Sequence, residues 1–255
     1  MSKLPKKNQF FDLSDYGRPI AKVIAKSLKD TSITPIHVTI SFIISGFLAI
    51  LCILNQYYWA TAFFLILKSI LDAADGELAR VNKKPSYTGR YLDSVSDIIL
   101  NFFILITIWH VTQGPFVHMI LAFIAIQLEG TLYNYYCVIL RNRYNGDKTS
   151  RIIENQIPIA LNGESQRSVT ILFKLYTLLY GVFDKIIYNL DKNAAESKYF
   201  PNLFMTAIST FGLGFQLLII SIMLIVGLEN YIFLFFIAYS LFIILFIGIR
   251  KIINH

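Results

Sequence analysis

The chain has 255 residues, of which 55% are hydrophobic and 15% charged, with a mean hydropathy of +0.57. Soluble domains average about 25% charged residues, and here the apolar residues run in long uninterrupted blocks. Composition therefore excludes a disordered chain, a secreted disulfide scaffold, an ordinary water-soluble enzyme and, for want of short alternating segments, a transmembrane barrel. The formal charge of +7 falls between the apolar blocks, where it reads as topogenic rather than as a footprint for nucleic acid.

The first 32 residues are polar, carry Lys3, Lys6, Lys7, Arg18, Lys22, Lys26 and Lys29, and do not have the layout of a signal peptide. Within them, residues 15–29 set Ile20, Val23, Ile24 and Leu28 on one stripe, with Pro19 suited to a first helical turn. That pattern predicts a cytoplasmic amphipathic helix lying on the membrane surface. Six blocks of membrane-spanning length follow, at residues 33–54, 57–79, 91–112, 116–140, 200–228 and 231–249, since a span needs about 20 apolar residues. Cys52 and Cys137 fall inside two of them and read as buried thiols. Between the fourth and fifth blocks, residues 141–198 hold a second amphipathic stretch at 167–192. Lys174, Asp184 and Lys185 interrupt it, which predicts an interfacial helix. The sequence thus predicts an all-α polytopic membrane protein in a single domain over residues 1–255. Its parts are a juxtamembrane helix within residues 1–32 and a six-helix bundle over 33–249.

The basic residues orient this plan. All of the 23 Lys and Arg except Lys68 lie in the N-terminal segment, the even-numbered junctions (80–90 and 141–198) or the C-terminal end. The odd-numbered junctions hold none. Both termini are therefore predicted to be cytoplasmic.

Four aspartates crowd around one cytoplasmic turn. Asp72 and Asp75 are three residues apart at the end of the second block; Asp93 and Asp97 are four apart at the start of the third. Each pair shares a helix face, and the short connection predicts an antiparallel hairpin that turns the pairs toward each other. Ionisable groups at membrane depth are costly and point to function. Like charges so close require neutralisation, and an oxygen-only donor set without Cys or His favours Mg²⁺ or Mn²⁺ over Zn²⁺. A purely structural pairing with Lys68, Arg80 and Arg90 is the competing reading. Gly76, Ala79 and Gly89 leave room for a flat ligand beside the backbone, and Arg80 is placed to reach phosphate oxygens.

The run Asp72-x-x-Asp75-Gly76-x-x-Ala79-Arg80, eight residues, then Gly89-x-x-x-Asp93-x-x-x-Asp97 resembles the signature of the CDP-alcohol phosphotransferases at all eight fixed positions. Thr34, Pro35, Val38 and Thr39 fit the family's opening of the first membrane helix, with Ile36 where the family has Asn. The resemblance implies that Asp72, Asp75 and Asp93 bind a divalent pair and that Asp97 completes the second site and acts as general base. It further implies that Gly76, Ala79, Arg80 and Gly89 contact the nucleotide. The reaction it implies is attack of an alcohol on the β-phosphorus of a CDP-alcohol with release of CMP, in phospholipid biosynthesis, by a homodimer in the bilayer with its site on the cytoplasmic side. In a prokaryote that bilayer would be the plasma or inner membrane. Chain length and the stretch Asp93-Ser-Val-Ser-Asp97 look like the branch that transfers a phosphatidyl group from CDP-diacylglycerol. The alternative branch moves phosphocholine or phosphoethanolamine to a lipid alcohol, and the residues leave the acceptor open.

Outside the signature, Arg141 and Arg143 are candidates to grip an acceptor phosphate or serve topology alone. Lys68 reads as charge balance or a ligand contact, and Glu129 as an acceptor-site group or an interhelical hydrogen-bond partner. Two other functions compete. A cation transporter explains the aspartates but not Gly76, Ala79, Arg80 and Gly89. A membrane prenyltransferase resembles a repeated, widely spaced acidic motif on about nine helices, which this chain does not have.

Overall fold

The computed structural model describes Leu4 and residues 9–144, 156–197 and 199–254. Lys3, Lys6, Lys7, Lys148, Arg151 and Lys198 of the charge pattern lie outside them. Every regular element among the described residues is helical: α1 (Arg18–Leu28), α2 (Pro35–Leu54), α3 (Tyr58–Val81), α4 (Tyr87–Thr112), α5 (Phe116–Arg143), α6 (Gln166–Leu190), α7 (Asn202–Ile208), α8 (Leu213–Ile225), α9 (Ile232–Tyr239) and α10 (Phe242–Ile253). The helices α2, α4, α5 and the stretch Glu229–Ile253 are long and apolar enough to cross a bilayer. Asn202–Phe211 and Leu213–Ile225 are together long and apolar enough as well, and are bent by 54° at the break between them, as in a broken span or a re-entrant loop. At 24 residues α3 has the length as well, but Lys68, Asp72 and Asp75 make it less apolar than the rest. This is an integral membrane protein.

Local chemistry explains where these helices begin. Thr34 and His37 form a reciprocal cap at the start of α2, and Pro35 occupies its first turn, where the missing N–H costs nothing. The sequence places the start of the third membrane helix at residue 91, yet α4 starts at Tyr87. Ser86 supplies the cap by accepting the Gly89 N–H at 2.8 Å, so Gly89 sits in the first turn and Asp93 and Asp97 in the second and third.

The predicted span at 200–228 is broken at Gly212, whose backbone is extended (φ −72°, ψ 150°). The N-terminal segment packs into this break. Leu13 N–H donates to Ser209 Oγ at 2.9 Å, and the Tyr133 hydroxyl donates to the Asp12 carboxylate. A methyl group built on Gly214 would overlap the Ser14 carbonyl oxygen, so the small residues of Gly212-x-Gly214 admit the short 3-10 turn Leu13–Asp15 at close range.

The stripe predicted for α1 is turned. Ala21 and Ala25 are the buried residues, set against Ala74 and Leu78 of α3, with Ile24 and Leu28 beside them. Ile20 and Val23 are exposed. Small side chains allow α1 to lie close along α3, and its larger apolar groups face outward.

Helix α6 spans one end of the bundle. At its start Val169, Phe173 and Tyr176 enclose Tyr91 in the first turns of α4, and Tyr180 donates to the Ser94 carbonyl at 3.1 Å. Near its other end Ile187 is buried with Leu132, Tyr135 and Tyr136 of α5. Just beyond it, Asp191 accepts from the Tyr136 hydroxyl and forms a buried ion pair with Arg250 of α10.

Two glycine substitutions separate close approach from simple flexibility. Gly214→Ala forces the N-terminal segment away and should lower stability by about 1–3 kcal/mol, as overpacking does. Gly248→Ala meets nothing within 4 Å and removes a helical glycine, so it should raise stability by about 0.5–1 kcal/mol. Thermal unfolding in detergent, with opposite signs for the two variants, checks this.

Candidate active site

The α3–α4 hairpin performs the juxtaposition that the aspartate spacing predicts. Asp72 and Asp75 sit one turn apart on α3, and Asp93 projects from α4, so that one carboxylate oxygen from each lies within 4.8 Å of the others. At that separation two ionised carboxylates repel by about 3 kcal/mol at an effective dielectric of about 20. Asp75 is buried and its Oδ2 accepts from Thr39 Oγ1 at 2.6 Å. That contact gives the Thr-Pro-x-x-Val-Thr stretch of α2 a role in orienting a ligand carboxylate. Asp93 Oδ1 is buried with no hydrogen-bond partner among the described residues. An all-carboxylate, closely spaced, partly unpartnered oxygen set fits a hard divalent cation.

Asp97 stands next to this trio and is held differently. Its Oδ1 meets Lys68 Nζ at 2.5 Å, and the Lys68 side chain is fully buried, 5.0 Å above the Phe42 ring. Lys68 therefore balances the one aspartate of the four that lies outside the close trio.

Glu77, which occupies a variable position of the signature, is a residue that sequence reasoning missed. It is buried and pairs with Arg18 Nη1 of α1 at 2.6 Å and with Arg80 Nη2 at 3.1 Å. Arg18 also pairs with Asp15. Glu77 thus fixes the surface helix to α3 and holds Arg80 beside the aspartates. Nε of Arg80 makes no hydrogen bond among the described residues, so the guanidinium keeps a donor beyond its pairing with Glu77. The one signal in the sequence was a glutamate three residues before Arg80, on the same helix face. Its partner Arg18 is 59 residues away.

The groups line one open cavity of about 1770 Å³, bounded by α3, α4, α5, α6 and the N-terminal segment. Asp72, Asp75, Gly76, Ala79, Arg80, Gly89, Asp93 and Asp97 all face it. A Cβ built on Gly76 would meet only the Arg80 guanidinium, at ordinary contact distance. Packing does not demand a glycine there, although one in a helix interior costs about 1 kcal/mol; the space it leaves belongs to the cavity.

Arg141 lines the cavity. Arg143 instead donates to the Ser197 carbonyl and lies over Phe200. Glu129 accepts from Gln216 Nε2 at 2.9 Å, an interhelical hydrogen bond between α5 and α8.

The model of one protein family, CDP-alcohol phosphatidyltransferase, matches residues 32–245. The chain belongs to that family. Its members are membrane transferases of substituted phosphate groups in phospholipid biosynthesis, generally dependent on a divalent metal. The matched range runs from α2 into the first turn of α10 and includes the four aspartates with Gly76, Ala79, Arg80 and Gly89. No curated protein matches the chain significantly.

At the rim of the family's signature, Glu164 reaches the start of α4. It accepts from Ser86 Oγ and the Thr88 N–H, both at 2.7 Å, and from the Tyr87 N–H at 3.2 Å. Burial alone would raise its pKa, but the Thr88 N–H and the Ser86 hydroxyl outweigh that and hold it below the usual glutamate value. A lowered folded pKa means the tie is fully formed above the ordinary pKa and is lost as pH falls through the lower folded value. The wild type should therefore show a stability step below about pH 4 that Glu164→Gln lacks, measured by thermal unfolding between pH 7 and pH 3. Glu77→Gln strips both arginines of their shared counter-charge. It should lower stability by about 3 kcal/mol, in the range for breaking a buried pair, and speed proteolytic removal of α1.

Proposed function

We propose that the protein transfers a phosphatidyl group from CDP-diacylglycerol to an alcohol acceptor and releases CMP. The observation that carries this reading is the meeting, in one cavity, of a three-carboxylate cluster, an unfilled glycine position and an arginine with a donor to spare. A cation-transport reading accounts for the carboxylates but leaves Gly76 and Arg80 without a role. A cavity of this size exceeds the few hundred to about 1,000 Å³ of a site for one small ligand, which suits two reactants.

In this reading Asp72, Asp75 and Asp93 hold Mg²⁺ or Mn²⁺, and Asp97 completes a second metal position. Bound there, the metal supplies charge neutralisation for the diphosphate oxygens and the departing CMP. Arg80 adds donors to the same phosphates, held in place by Glu77. Gly76, Ala79 and Gly89 let the cytidine lie against the backbone. Asp97 takes the proton of the attacking hydroxyl as its oxygen bonds to the β-phosphorus. The bond from that phosphorus to the bridging oxygen breaks, and the oxygen leaves with CMP. Lys68 orients Asp97 and balances its charge. Arg141, at the cavity wall, is the candidate for contact with an acceptor phosphate. The charged end of α3 faces the cavity and its apolar end the bundle, so α3 counts as a sixth span. Helix α6 lies in the interface on the cytoplasmic side, with both termini, in a single membrane domain that pairs as a homodimer.

Purified protein in lipid with Mg²⁺ should release CMP from CDP-diacylglycerol in the presence of a polar alcohol. It should fail to do so in excess chelator and recover when Mg²⁺ or Mn²⁺ is restored. Asp97→Asn should abolish turnover while CDP-diacylglycerol still binds. Turnover in chelator, or wild-type rates in Asp97→Asn, would overturn the assignment of the metal or of the base respectively.

A further inference from the structure

The cavity continues past the acidic cluster. Asn101 lies one turn beyond Asp97 on the same face of α4, and Gln127 and Thr131 lie one turn apart on α5. All three line the cavity, and all are more than nine-tenths buried, with 7%, 4% and 6% of their surfaces exposed. Asn101 Oδ1, Gln127 Nε2 and Thr131 Oγ1 meet no hydrogen-bond partner among the described residues. A buried polar atom left unpaired costs about 1–3 kcal/mol, and buried polar groups in folded proteins are nearly always satisfied. Three of them from two facing helices, at the inner end of an open cavity, form a site prepared for a polar group.

The chemistry of that group follows from the wall. It presents an amide oxygen, an amide N–H and a hydroxyl, so it both accepts and donates. Ile126 and Gly130 of α5 and Leu213 and Gln216 of α8 line the same cavity; none of these seven residues carries a formal charge, and the buried carboxylate bonded to one of them, Glu129 on Gln216, would repel an anion. A phosphate or a carboxylate placed there would lose its hydration without a counter-ion. A hydroxyl loses nothing, because it donates to Asn101 and accepts from Gln127.

We propose that Asn101, Gln127 and Thr131 form the subsite for the uncharged hydroxyls of the acceptor, and that the acceptor is a polyol. The inference rests on the transfer reading above, because the reacting hydroxyl must reach Asp97. A polyol whose neighbouring hydroxyls reach one turn deeper contacts Asn101 while the reacting oxygen stays at Asp97. The glycerol backbone of the lipid donor has similar oxygen chemistry, and the experiment separates the two.

Full-length protein in lipid nanodiscs, with Mg²⁺ and CDP-diacylglycerol, is titrated with millimolar myo-inositol, glycerol and their phosphate monoesters. Thermal stability and CMP release are both read. At least one polyol should raise the Tm of the wild type, and Thr131→Val and Gln127→Leu should each remove that rise. Without polyol, Thr131→Val should melt no lower than wild type, since it replaces an unpaired buried hydroxyl with a methyl group of the same shape. In turnover each variant should raise the acceptor KM about tenfold, the loss of one hydrogen bond of typical strength. The change should fall on that KM rather than on kcat or on the KM for CDP-diacylglycerol.

Equal polyol responses in variants and wild type overturn the subsite, as does a wild type indifferent to all four compounds. A rise in the CDP-diacylglycerol KM instead assigns the pocket to the donor's glycerol backbone and likewise overturns it. A polyol-dependent Tm rise that the variants lose, without CMP release, upholds the subsite and fails the transfer reading. CMP release with unaltered acceptor KM in both variants does the reverse.

Discussion

Carboxylates that would sit comfortably on a water-exposed surface are here held close together at the end of membrane helices, and the surrounding residues answer that crowding one by one. Thr39 donates to Asp75, Lys68 pairs with Asp97, and the closest three keep carboxylate oxygens within 4.8 Å of one another, a spacing at which one cation would serve all three. The cost of burying so much like charge is met only when each group has a partner. That is why residues on α1, α2, α3 and α4 converge on one small volume.

The rest of the architecture keeps that volume open. A bundle of apolar helices closes on itself unless something prevents it. Here α6 lies across one end on aromatic contacts with Tyr91, and the N-terminal segment enters at the Gly212 break. Both elements wall the cavity without filling it. The buried pair Asp191–Arg250, with Tyr136 and Ser197, ties the far end of α6 to α10. The end of the bundle that carries the chemistry is thus the end richest in buried polar contacts, whereas the opposite end is an apolar core around Ile104, Leu105 and Phe233. Arg80, Arg141 and the aspartates line the cavity together with the uncharged Asn101, Gln127 and Thr131, and the proposed reading uses the first group for a diphosphate and the second for a neutral partner.

Much of this was legible in the sequence because helical periodicity is local. Residues three and four apart share a face whatever surrounds them, so the facing of Asp72 and Asp75 toward Asp93 could be read directly. Basic residues in alternate junctions predict an orientation for the helices by the same local reading. Glu77 was not legible in this way, because its partner Arg18 comes from a helix that only docking brings near. Lys68 left two readings open, and its pairing with Asp97, a partner 29 residues away, supports charge balance. The turned face of α1 shows the same limit: hydrophobicity picks out Ile20 and Val23, but close packing selects Ala21 and Ala25, and in a lipid environment both faces can be apolar. The start of α4 was misplaced by four residues because Ser86 and Glu164 lend it a first turn that apolar periodicity does not register.

By itself the sequence determined the class of the protein, the apolar blocks and the pairing of four aspartates around one hairpin. These follow from composition and from repeats of three to four residues, which no distant contact can undo. Tertiary structure decided which of the four stands apart with a lysine, what holds the arginine beside them, and where the fifth apolar block breaks. It also decided that a neutral polar pocket lies beyond the acidic one. Each of those depends on side chains from helices separated by tens of residues meeting at hydrogen-bond distance, and the energy of such a meeting resides in the packed arrangement rather than in any one segment.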